Sequence, residues 1–129
     1  MALATMNRIR QKLGAKTVEF HGRRDLSEMP AFYALADGML VTLMADETLS
    51  LTLPGKVQTY MAAGKPIIAS ANGEIEKVVE EATCGYCTAA EDEEGLERSV
   101  REFCKDVESG RAKLLGDNAF KYYKWNNTK

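Results

Sequence analysis

No stretch of the 129 residues approaches the roughly twenty consecutive apolar side chains that a bilayer-spanning helix needs. The amino terminus also lacks the apolar block of a secretory leader, so a cytoplasmic location is expected. Basic residues are in no surplus. Seventeen Lys and Arg stand against 19 Asp and Glu, giving a net charge of −2, and the pI is near 5.5. Nucleic-acid and membrane-surface binders rely on the opposite balance, so neither class is expected. There are only three cysteines, an odd number without an export signal, which predicts reduced thiols and no disulfide framework. Histidine occurs once, and there is no internal repeat and no low-complexity segment.

What remains is the composition of one domain. At this length a single core can bury about two thirds of the unfolded surface, whereas a two-domain enzyme does not fit, so residues 1–129 are read as one domain. Charge is unevenly spread: residues 1–24 carry six basic side chains and one acid, and residues 91–108 carry eight acids and three bases. Solvated helix faces account for this, and a basic face beside a ligand is the alternative.

Helical and strand patterns alternate. Leu3, Met6, Ile9, Arg10 and Leu13 fall at three- and four-residue steps before Gly14, the pattern of a half-buried helix ending at its C-cap. Residues 17–20 read as a short strand. Ser27 is a candidate cap for a second helix with Met29, Phe32, Tyr33, Leu35 and Ala36 on its apolar face and Pro30 in its first turn. The run over 38–43 predicts a strand buried on both faces. Asn72 or Gly73 opens a helix with Ile75, Val78, Val79 and Ala82 inward, residues 86–89 predict another strand, and Asp92 caps a long helix with a Leu96, Val100, Phe103 and Val107 stripe. Leu114, Leu115, Phe120 and Tyr123 suggest a last helix. The alternation predicts an α/β fold, a Rossmann-like parallel sheet flanked by helices, with ligands at the carboxyl ends of its strands. Met29, Met39, Met44 and Met61 fall in core patterns and are read as packing.

The most informative stretch is 50–70, S-L-T-L-P-G-K-V-Q-T-Y-M-A-A-G-K-P-I-I-A-S. Leu53 is a poor cap, and Pro54 suits the first helical position, where its missing N–H and fixed φ cost nothing. Gly64 fits the position past the helix, and Ile67-Ile68-Ala69 predicts a buried strand. With Leu53 as the cap, no side chain satisfies the amides of Gly55, Lys56 and Val57, which makes the helix start an anion site. Lys56 opposes the usual preference for acids there, and an anion would explain it. A solvated lysine on a water-capped helix is the plainer alternative.

This run, together with V-E-F-H-G-R-R-D-L-S-E-M-P-A-F-Y-A-L-A-D-G-M-L-V-T-L before it and G-E-I-E-K-V-V-E-E-A-T-C-G-Y-C after it, resembles the nucleotide-sugar-binding half of bacterial glycosyltransferase family 4 enzymes. The resemblance spans residues 18–123 and is closest to a branch that assembles cell-surface polysaccharides. It implies the C-terminal domain of a GT-B enzyme, truncated at both ends, since two further strand–helix units would precede it and a helix would follow. It also implies a retaining, metal-independent transfer from a UDP-sugar to a lipid-linked or saccharide acceptor, with no cofactor beyond that donor. Backbone groups of Gly22 and Arg23 would meet the nucleobase. The backbone of Leu51, Thr52, Leu53, Pro54 and Gly55, with Lys56, would hold the diphosphate. Two glutamates of the common family pattern fall on Leu51 and Thr59, neither of which carries charge, so the Thr59 hydroxyl or water would meet the ribose and Asp46 or Glu47 would supply a carboxylate near the sugar. The implied partners are the nucleotide-sugar donor and a separate acceptor domain, with self-association through exposed sheet edges and a membrane-peripheral place for the full-length enzyme. A non-catalytic docking module is the rival reading, and the 129 residues alone are expected to be inactive.

Other chemistries fit poorly. A-A-G-K-P lacks the glycine and the hydroxyl residue of a phosphate loop, since Thr59 and Pro66 stand there. Cys84 and Cys87 close a helix before a strand, the reverse of a thiol redox pair. His21 and Cys104 lack metal-ligand spacing, and His21 reads as a surface or packing residue.

Overall fold

A computed structural model describes residues 8, 11–14, 16–45 and 53–127. The chain divides into two compact units, Met1–Ala31 and Phe32–Lys129. In the first, residues 11–13 are helical, and Gly14, at φ +68°, donates its N–H to the Gln11 carbonyl at 3.2 Å, the expected C-cap. Leu13 is nonetheless exposed rather than half-buried, and Leu3, Met6, Ile9 and Arg10 lie outside the described residues. Residues 18–20 are irregular instead of a strand: Val-Glu-Phe is too short an alternation to define a buried face, and Val18 and Glu19 are exposed. Asp25, not Ser27, opens the next helical segment, a 3₁₀ turn Leu26–Glu28. Its N–H donates to the Glu28 carboxylate at 3.1 Å, the reciprocal arm of a capping box that Ser27 could not form with Pro30. Helix α1 (Met29–Leu35) follows with Pro30 in its first turn, and the boundary between the units falls inside it.

The second unit contains β1 (Met39–Thr42), α2 (Gly55–Ala62), β2 (Ile67–Ser70), α3 (Glu74–Ala82), β3 (Gly85–Thr88), α4 (Glu93–Ser109) and α5 (Arg111–Asn127). The strands form one parallel sheet in the order β1-β2-β3, with Met39, Ile67 and Gly85 in one row and Thr42, Ser70 and Thr88 in another. Helices cover both faces, so the α/β, Rossmann-like expectation holds. Central β2 is buried at every residue. β1 differs from expectation: Val41 is fully buried, but Leu40 is 56% exposed, because among the described residues β1 is an edge strand with incomplete cover on one face.

The register separates two layers. Val41, Ile67, Ala69 and Cys84 join Val57 and Met61 of α2, Ile75, Val78 and Val79 of α3 and Ala119 of α5 in the main core. The opposite face packs on α4 through Gly95 and Ser99, with Tyr86 of β3 donating its hydroxyl to the Asp106 carboxylate. The stripe read from the sequence therefore holds in part: Leu96 and Phe103 are half-buried, with the Phe103 ring beside Gly38, whereas Val100 and Val107 lie on the rim and are exposed. Small residues permit the close approach. A Cβ on Gly95 would lie 3.2 Å from the Cβ of Thr88 in β3, and would also strike the Asp92 carboxylate that caps α4. In α5, likewise, Ala112, Leu115, Gly116 and Ala119 face inward while Leu114 and Phe120 stay exposed, since a Cβ on Gly116 would lie 2.3 Å from the Gly64 carbonyl oxygen.

The cysteines belong to this packing. Cys84 is fully buried, and Cys87 donates its thiol to the Ala71 carbonyl at 3.4 Å. Burial pushes both thiols up to about 11, from an ordinary 9.0. A thiol whose pKa is raised on folding contributes stability that is fully present below the unfolded value and is lost as pH rises through the folded value. Stability should therefore fall between about pH 9 and pH 11. Urea melts across that range should show a smaller fall in the Cys84→Ala, Cys87→Ala double variant, and an identical fall would remove the thiols as its cause.

Candidate active site

Helix α2 opens one residue later than expected. Pro54, at φ −58° and ψ 143°, is itself the N-cap and makes no side-chain capping bond. A proline ring has no acceptor, so the first amides must look elsewhere. The Val57 N–H turns back to the Pro54 carbonyl at 3.0 Å, which removes it from the three open amides anticipated. Among the described residues, the amides of Gly55 and Lys56 have no acceptor. Lys56 is exposed, and no acid stands in the first turn to offset its charge against the helix dipole. Thr59 donates its hydroxyl to the Gly55 carbonyl at 3.2 Å, leaving its oxygen free to accept. Gly64, at φ +73°, ends the helix where expected.

Chain geometry places this helix start at the carboxyl end of the sheet. Pro66, just past α2, accepts the Met39 N–H at 2.9 Å and so lies level with the amino end of β1. Eight helical residues then rise roughly 12 Å, close to the roughly 13 Å of a four-residue strand. Leu53 anchors the start by packing on the main core.

At that same end, the loops leaving the three strands are fastened together. Ser70 donates its hydroxyl to the Ala89 carbonyl at 3.1 Å, and Ala90 donates its N–H to the Asn72 side-chain oxygen at 3.0 Å. Ala45 donates its N–H to the Glu91 carboxylate at 3.2 Å. A cleft of about 270 Å³ opens between these loops and the start of α4, lined by Thr42, Leu43, Met44, Ser70, Glu91 and Leu96, among others. Met44, read as packing, is exposed and lines the cleft instead.

Of the residues singled out in the sequence, Leu53, Pro54, Gly55, Lys56 and Thr59 are brought together at one helix start. Leu51, Thr52, Asp46 and Glu47 lie outside the described residues. Gly22, at φ +74°, and Arg23 belong to the first unit, where both are exposed in an irregular segment. His21 is there too, with its Nε2 3.5 Å from the Glu19 carboxylate. Sequence reasoning passed over Thr42, Ser70 and Glu91. A signal existed for the first two, because every strand ends on a hydroxyl residue, and Thr42, Ser70 and Thr88 stand in register at the end of a parallel sheet that conventionally meets ligands. Among the described residues, no helix is long and apolar enough to cross a membrane.

No curated protein and no solved structure gives a significant match to the chain. Residues 3–106 match the family model of the group 1 glycosyl transferases. That match covers most of the sequence and the three strands found among the described residues, and with the parallel sheet and its loop-lined cleft it means that the chain belongs to the group 1 glycosyl transferase family.

Proposed function

We propose that this chain is the donor-binding half of a retaining, metal-independent glycosyltransferase that takes a UDP-sugar and serves a lipid-linked or saccharide acceptor in cell-surface polysaccharide synthesis. The observation that carries this reading is the uncapped start of α2 at the carboxyl end of the sheet, with Lys56 in its first turn. There the Gly55 and Lys56 amides, with the Lys56 ammonium, neutralise charge on the departing diphosphate, as fixed donors do for developing oxyanions. Leu51 and Thr52 add backbone contacts, and the Thr59 oxygen accepts from a ribose hydroxyl. Gly22 and Arg23 meet the nucleobase, and Asp46 or Glu47 brings a carboxylate to the sugar. A melting-temperature screen with UDP, GDP, ADP and their sugar conjugates tests this. UDP and UDP-sugars should raise the midpoint, and a shift by none of the nucleotides would sink the donor reading.

The rival reading, a docking module, is favoured by one observation. Leu40 on edge strand β1 and Val100 and Val107 on α4 are 56%, 41% and 37% exposed, more than large aliphatic side chains of a finished layer show. Self-association in sedimentation, without any nucleotide effect on melting, would support it.

A further inference from the structure

Between β3 and α4 the chain reverses over Ala89, Ala90, Glu91 and Asp92, closed by the Asp92 N–H donating to the Ala89 carbonyl at 3.2 Å. Glu91 occupies the third position at φ +64°, a conformation that glycine adopts freely and a glutamate Cβ opposes. The turn is fixed from both sides. Asn72 holds the Ala90 N–H at 3.0 Å, and the Asp92 carboxylate accepts the Gly95 N–H at 3.0 Å to cap α4. The surroundings thus hold Glu91 in a strained conformation that a glycine would satisfy better. Thr83, the other non-glycine with positive φ among the described residues, has a local explanation: it ends α3, and its amide and hydroxyl both return to the Glu80 carbonyl.

No such local explanation covers Glu91. What the glutamate adds is its carboxylate, which lines the cleft and accepts the Ala45 N–H at 3.2 Å, 46 positions away. Ala45 follows Leu43 and Met44, which leave β1 and line the same cleft. Resting on the donor reading above, we infer that Glu91 is a positioning residue. Its carboxylate pins Ala45, the third residue after β1, to the β3–α4 turn, and so fixes relative to each other the two loops that wall the cleft. The backbone strain at Glu91 is the consequence of aiming that carboxylate across the loops.

The test compares the parent chain with Glu91→Gly and Glu91→Gln by UDP titration calorimetry, amide hydrogen exchange at Ala45 and thermal melting. In Glu91→Gly the Ala45 amide should exchange faster, and UDP affinity should fall on the order of threefold to tenfold, less than a direct charge-assisted contact to phosphate would cost, because the lost bond acts only through the loops. Its melting temperature should equal or exceed the parent's, because glycine takes the turn without strain. In Glu91→Gln a neutral oxygen still accepts, so affinity and exchange should stay close to the parent's. A merely structural glutamate would instead lose stability and affinity together in Glu91→Gly. Faster Ala45 exchange with unchanged UDP affinity would overturn the positioning role, and unchanged exchange would overturn the clamp itself. If the parent binds no UDP, the donor reading fails, and Ala45 exchange still decides the clamp.

Discussion

Gly85→Ala is expected to destabilise the protein by at least about 3 kcal/mol, the upper part of the range for overpacked interiors, and to leave little folded protein if the parent has the stability of an ordinary small domain. The reason is space rather than backbone freedom, since the φ of Gly85 lies outside the left-handed region. A Cβ built there would lie 1.8 Å from the Ile67 carbonyl oxygen and 2.8 Å from the Ile67 carbonyl carbon. The atoms it strikes are main chain of the central strand, which cannot swing aside as a side chain can. The same strand receives its ladder bonds there, with the Ile67 N–H donating to the Cys84 carbonyl at 3.0 Å. Relief therefore requires parting β2 from β3, and with it the burial of Ile67 and Cys84, both fully inaccessible. Gly55→Ala is the matched control. Nothing lies within 4 Å of a Cβ at Gly55, and the exchange in the first helical turn should be neutral or add up to about 0.5 kcal/mol. Urea denaturation of both variants measures the contrast, and equal midpoints for Gly85→Ala and the parent would show that the strands do not approach this closely.

That contrast also shows which features of the fold the sequence discloses. Element ends were legible where a local rule decides them: Asp92 caps α4, Gly73 precedes α3 and Gly64 terminates α2, each by the geometry of its own few residues. Facing directions were less legible. The apolar stripe of α4 reads as Leu96, Val100, Phe103 and Val107; Leu96 and Phe103 are half-buried as expected, the Phe103 ring lying beside Gly38, but Val100 and Val107 are exposed and the buried residues of the helix are Gly95 and Ser99. Hydrophobicity marks what would gain from burial, whereas close approach is set by the partner's shape, and only small residues let α4 lie near Thr88. In α5, Leu114 and Phe120 were outvoted in the same way by Ala112, Gly116 and Ala119. The strand anticipated over residues 17–20 failed for a related cause: a pattern of three alternating residues carries no information about a pairing partner.

The site divides along similar lines. The α2 start was visible because Pro54 and Lys56 are neighbours in sequence and their helix-terminal chemistry is local. Its cap was placed one residue early, since a proline at the N-cap and one at the first helical position read alike in a sequence. The cleft was invisible because its walls come from residues near 43, 70 and 91, and the bond from Ala45 to Glu91 spans 46 positions. Nothing in A-A-E-D announces a left-handed glutamate, as that conformation follows from the fastening of the loop by Asn72 and Asp92.

Lys56→Ala should weaken UDP binding about tenfold to a hundredfold, because a charge-assisted hydrogen bond to phosphate contributes on the order of 1.5 to 3 kcal/mol. The remaining 0.3 to 1 kcal/mol or so from the helix dipole should survive, since the Gly55 and residue-56 amides stay in place. Uridine has no phosphate, so it should bind the variant and the parent alike. Stability separates this role from a structural one. Lys56 is exposed and follows an uncapped start with no acid in the turn, so its removal should change stability by less than about 0.5 kcal/mol, or raise it by taking a cation from a helix start. The Cys84→Ala, Cys87→Ala variant, altered only within the packed layer, should keep the parent's UDP affinity at neutral pH. Calorimetric titration of each protein with UDP and uridine distinguishes the cases. A loss confined to UDP in Lys56→Ala assigns the ammonium to the diphosphate. Equal UDP affinities for variant and parent would remove Lys56 from the site and leave the Gly55 and residue-56 amides as what α2 offers a diphosphate.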